Sequence, residues 1–237
     1  PGLIDSHTHY EEWMGELFLN HGVTSIMAMG GKFGKQKEVS QKSNSRTPRM
    51  YDTAGDPRLS ASMTQDQVRA SVQEWLKGKP DFSRIRAPEE FTPMTLSGRD
   101  LKKSEQVYQW AAEEIHRAGL ITFGHTSNAP KSIKAGQDIV EHIWGFATAM
   151  MSAEEYDAFQ RGQYLHWGMF LKDWARLDQV IKEAVEQKAY LNPTFFFELG
   201  SLSQFAAKHE QEAYRLYSDP SLMAYFPQGI AQSLLQK

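Results

Sequence analysis

Residues 120–145 read LITFGHTSNAPKSIKAGQDIVEHIWG. Two short apolar segments, Leu120 to His125 and Asp138 to His142, each end on a histidine, and short apolar runs bounded by Gly, Asn and Pro are strand signals. The same form recurs at Leu3 to His9, Val23 to Met29, Arg49 to Thr53, Phe82 to Ala87 and Ala189 to Thr194. Between them lie helical periodicities. Val107, Trp110, Ala111, Ile115 and Ala118 recur at helix spacing and stop at Gly119, and Leu177, Val180, Ile181, Ala184 and Val185 do the same. Strands alternating with helices argue for βαβ units and a parallel sheet. Seven strands fit a (β/α)8 TIM barrel, which takes about 250 residues, with one unit short. The polar stretch Gly30 to Pro48 reads as a long loop, and no composition shift divides the 237 residues, so a single domain over 1–237 is expected.

In such a barrel the functional residues stand at the C-terminal ends of the strands. His7 and His9 close the first predicted strand, His125 the fifth and His142 the sixth, so four of the eight histidines end strands. Side chains alternate along a strand, which sends His7 and His9 to one face and Ser6 and Thr8 to the other. Two imidazoles on one face can share a cation, and neutral imidazole is a common zinc ligand. A lone His-x-His is as well explained by ordinary hydrogen-bonded histidines, so the rim placement of all four carries the functional reading.

Composition narrows the chemistry. The chain is 41% hydrophobic with a formal charge of −3, which describes a globular protein with no basic footprint for nucleic acid, and its apolar runs are too short to span a bilayer. The expected partner is a small-molecule substrate, with oligomeric state open. There is no cysteine, so a thiolate metal site or cysteine nucleophile is excluded and any metal must be held by nitrogen and oxygen. The compartment is open, with the cytoplasm favoured, and a targeting segment would precede Pro1.

Taken together, PGLIDSHTH, HGVTSIMAMGG, ITFGHTS, SIKAGQDIVEHIWG and LNPTF resemble the amidohydrolase superfamily of metal-dependent hydrolases, in its imidazolonepropionase and metal-dependent prolidase branch. The resemblance implies that His7 and His9 bind the more buried metal and that His125 and His142, which match the histidines of the fifth and sixth strands, complete or extend the metal site. It implies a zinc or other divalent ion that activates water against amide-type carbon–nitrogen bonds. It also implies a chain lacking the small N-terminal β-sandwich and the eighth strand, a fragment whose own activity would be weak.

Two positions depart from that pattern. Binuclear relatives carry a carboxylated lysine on the fourth strand, where this chain has Arg84, a guanidinium that cannot ligate a cation. One ion is therefore expected, with Glu89 or Glu90 as the alternative to the bridge and Lys77 and Lys79 lying before the strand. The aspartate expected on the eighth strand has no counterpart, since Asp219 sits in the turn YSDPS, and the catalytic base stays unknown. Residues 201–237 resemble a helical lid. Arg84 and Arg86, if inward, would hold a substrate carboxylate or phosphate, and Phe195, Phe196 and Phe197 would line a pocket or pack. His21, His116, His166 and His209 read as structural or solvated. The competing reading is a non-catalytic barrel serving as a binding or assembly module.

Overall fold

The computed structural model describes residues 1–29, 35–42, 45–85, 101–126, 128–152, 154–155, 173–194, 203–224 and 226–229. Along the chain run β1 (Leu3–Thr8), α1 (Gly15–Asn20), β2 (Val23–Ala28), α2 (Lys35–Ser40), β3 (Arg49–Asp52), α3 (Gln65–Leu76), β4 (Ser83–Arg84) and α4 (Leu101–Arg117). There follow β5 (Thr122–Gly124), α5 (Ala129–Lys134), β6 (Ile139–Glu141), α6 (Trp144–Ala149), α7 (Trp174–Glu186), β7 (Tyr190–Asn192), α8 (Ser203–Tyr217) and α9 (Pro220–Met223). All seven predicted strands form, each of them trimmed. Contacts gather the chain into two compact units, Pro1–Asp52 with Thr194–Lys237, and Thr53–Pro193.

In the first unit β1, β2 and β3 make a parallel sheet in that order. Tyr10, Ile26, Ala28 and Met50 form its core, and β3 alternates, with Met50 and Asp52 buried while Arg49 and Tyr51 face out. At the edge of this sheet Leu3 and Ile4 are exposed. The stretch Gly30 to Pro48, read as a loop, contains α2. Its Lys, Gln and Glu are good helix formers, and polarity does not distinguish a helix from a loop.

The second unit holds the parallel sheet β4-β5-β6-β7, again in strict chain order. Winding without reversal is what barrel-type βα repeats produce, whereas doubly wound sheets reverse at a switch point. Val68, Val72 and Trp75 of α3 pack on Val107, Tyr108, Ala111, Ala112 and Ile115 of α4, with Ile85 beneath them. Thr64 starts α3 with a capping box, its Oγ1 accepting from Gln67 N while Gln67 Oε1 accepts from Thr64 N at 2.8 Å. The trimmed ends have local causes. Leu120 still closes α4, its N–H bonded to Ile115 O at 3.3 Å after Gly119 at φ +75°, so β5 begins only at Thr122. At its other end Gly124 admits close strand approach, since a Cβ there would lie 2.6 Å from Ile85 O.

Glu114 ties α3 to α4. Its carboxylate, 6% exposed, accepts from Arg69 Nε at 2.9 Å and from Arg117 Nη1. Burial alone would raise its pKa, but hydrogen bonds from the two guanidiniums outweigh it and hold it below the ordinary value of 4.5. A lowered folded-state value gives stability that is full above 4.5 and lost as pH falls through the lowered one. Thermal melts should therefore separate Glu114→Gln from wild type at neutral pH, and the two should converge on acidification. A gap that widened in acid would contradict this sign.

Candidate functional site

β1 delivers the first histidine pair. Its ladder to β2 runs to Thr8, whose carbonyl accepts from Met29 N at 2.8 Å, and His9 follows at once. The His7 amide donates to Asp5 Oδ1 at 3.0 Å, which steadies the strand end. The rings of His7 and His9 lie edge-on with centroids 5.4 Å apart, His7 half-buried and His9 exposed. Thr8, between them, is buried.

A second cluster stands at the ends of β4, β5 and β6. His125 follows β5 and His142 follows β6, and their Nε2 atoms are 3.1 Å apart. Glu141, whose side chain is wholly buried, brings Oε2 to 3.0 Å from His125 Nε2. Arg84, 9% exposed at its side chain, sets Nε 3.6 Å from that same oxygen and Nη2 3.4 Å from His125 Nε2. The guanidinium expected to meet a substrate anion thus meets an internal one. His142 stacks on Trp144 at 4.4 Å and 22°, and its backbone stands at φ +62°, which ends β6 while its N–H still donates to Asn192 O at 2.8 Å. Such a conformation in a non-glycine residue is sustained only where the surroundings enforce it. Sequence reasoning missed Glu141 and Trp144. Their signal was the tetrapeptide EHIW itself, where an acid closes an otherwise apolar strand.

The remaining residues fall as follows. Arg86, Glu89, Glu90, His166, Phe195, Phe196 and Phe197 lie outside the described residues. His21 is exposed, with Nδ1 2.7 Å from Leu17 O. His116 Nε2 is 2.8 Å from Asp138 Oδ2, an oxygen that also accepts from the Thr122 amide at 2.7 Å. His209 lies on α8. Asp219 opens α9, its Oδ1 accepting from Ser221 N at 2.9 Å, as a turn residue does. Lys77 pairs with Glu74 at the exposed end of α3. An apolar groove lined by Trp13, Met14, Phe18 and Phe226 lies in the first unit, and neither His7 nor His9 lines it.

The two pairs differ as hosts for a metal. His7 and His9 offer two neighbouring imidazoles at the end of β1, the donor type a divalent zinc site takes. The His125 cluster is already closed by a fixed cation. A divalent ion about 4 Å from a guanidinium meets roughly 8 kcal/mol of repulsion at an effective dielectric of 20. Among the described residues no group of three or more His, Cys, Asp or Glu side chains is disposed to hold a metal ion.

No family model and no curated protein matches the chain. Among solved structures it is similar to an amidohydrolase at 18% identity and TM-score 0.53, covering 89% of this chain and 56% of that one. It is also similar to the bottromycin amidohydrolase at 19% identity and TM-score 0.56, covering 100% of this chain and 50% of that one. The chain thus spans about half the length of these structures. Likeness at such identities speaks for architecture alone, and joined to two parallel sheets wound in chain order it shows that this chain shares the α/β fold of these two structures over its length.

Proposed function

We propose that the chain forms part of a metal-dependent hydrolase of the imidazolonepropionase and prolidase-like branch, with (β/α)8 winding, acting on amide-type carbon–nitrogen bonds of small molecules. The observation that supports it is the adjacency of His7 and His9 at the end of β1. A zinc ion held there would supply Lewis acidity, lowering the pKa of a water toward about 7. His7 and His9 would hold such an ion through ring nitrogens, and the Asp5 bond to the His7 amide keeps the first of them in place. A second reading, a binding module without turnover, is favoured by one observation, the Arg84–Glu141 pair closing the other histidine cluster.

Calorimetry with zinc should show one tight equivalent on the purified chain, lost in His7→Ala/His9→Ala. Unchanged binding in that variant would remove the assignment. Hydrolysis of N-acyl amino acids and dipeptides by the zinc-loaded chain then separates the two readings, since the module binds metal without releasing product.

A further inference from the structure

The helix α7 carries two apolar faces. Val180 and Ala184 turn one of them inward, where Ala184 packs with Ala129, Ile133 and Val140. The other is open to solvent, with Trp174 61%, Ile181 47% and Val185 68% exposed. At 3.6 residues per turn these three fall within about 40° of arc, so they make one aligned stripe and not scattered surface residues. Asp178 and Lys188 share its line. The order Trp174, Asp178, Ile181, Val185, Lys188 advances by alternate steps of four and three, the spacing of a two-helix seam. Both charged residues are exposed, and neither has an ion-pair partner among the described residues.

We propose that this stripe is a self-docking surface, on which α7 of a second copy of the chain lies antiparallel about a two-fold axis. Ile181 then faces the partner's Val185 and Val185 faces the partner's Ile181, which buries an apolar centre. On either side of it Asp178 meets the partner's Lys188, and Lys188 the partner's Asp178. A parallel pairing would set acid on acid and base on base, so the charges select the antiparallel one. They also select the occupant. An apolar pair with an acid at one end and a base at the other is its own complement after a two-fold rotation, which is what an isologous contact requires. One helix laid on another is at the small end of protein interfaces, so a reversible dimer with a dissociation constant of about 10–100 µM is expected. The surface includes none of the four strand-end histidines and stands apart from the proposed reaction.

Sedimentation velocity over a concentration series spanning that range tests it, with circular dichroism to confirm that each variant is folded. Wild type should pass from monomer to dimer. Asp178→Lys brings like charges together twice and should weaken the dimer by about 10-fold or more, and the exchange Asp178→Lys/Lys188→Asp should restore it. Register is read separately. The chain has no cysteine, so in an equimolar mixture of Ile181→Cys and Val185→Cys, mild oxidation should link the two variants to each other in preference to either with itself. Should Asp178→Lys not fold, that ratio decides. A wild-type chain that stays monomeric, a dimer indifferent to the charge reversal and its exchange, or crosslinking without preference overturns the proposal. So does a monomeric chain that sediments with phosphatidylcholine vesicles and loses them in Ile181→Asp/Val185→Asp, since the stripe would then face lipid.

Discussion

Glu141→Ala should lower the free energy of unfolding by about 3–5 kcal/mol, the range seen when one partner of a buried ion pair is removed. The substitution strands the Arg84 guanidinium, 9% exposed, without its carboxylate, and takes from His125 the oxygen 3.0 Å from its ring nitrogen. Arginine cannot shed its proton to escape the penalty. The accompanying double variant Arg84→Met/Glu141→Leu should recover most of the loss, because replacing both charges by apolar groups of similar volume is often neutral or stabilising. Urea unfolding gives both numbers. If the single change costs under about 1 kcal/mol, water reaches the guanidinium and the pair is not the closed unit described above.

Trp75→Ala should be comparably damaging, at about 3–5 kcal/mol for truncating a large buried aromatic. Trp75 lies between α3 and α4 in the main core of its unit, and its indole N–H donates to Thr53 O at 2.8 Å and Gly55 O at 3.0 Å. Those carbonyls belong to the loop after β3, so one side chain secures both a helix interface and a connection. Trp75→Phe retains most of the packing and should lose only about 1–3 kcal/mol, the penalty for leaving buried acceptors unmet. Equal losses in the two variants would mean that the hydrogen bonds, and not the packing, carry the effect.

The strands were legible because each is a short apolar run ended by turn residues or a polar group, and that signal survives in a buried parallel sheet where alternation is weak. Their ends were not, because they depend on helix closure at Leu120 and on the left-handed His142, neither of which shows in hydrophobicity. α2 was lost for a related reason, since a polar helix and a loop share a composition. At the candidate site, the histidines could be named from their positions at strand ends. That His7 and His9 touch follows from alternation, but that Arg84 and Glu141 meet requires β4 and β6 to flank β5, a fact of register and not of composition. An arginine read as a hand for substrate was in this way found to be holding its own protein.

The first compact unit is discontinuous, made from Pro1–Asp52 and Thr194–Lys237, while the second is one unbroken stretch, Thr53–Pro193. A ribosome releases residues in order, so every strand of the β4–β7 sheet leaves it before the last helices of the first unit exist. The chain's opening strand, with Leu3 and Ile4 bare at its edge, must therefore wait through the synthesis of the whole second unit for the segment that completes its own. An exposed apolar strand edge is a template for unwanted pairing, and here it is bare in the finished fold as well as during translation.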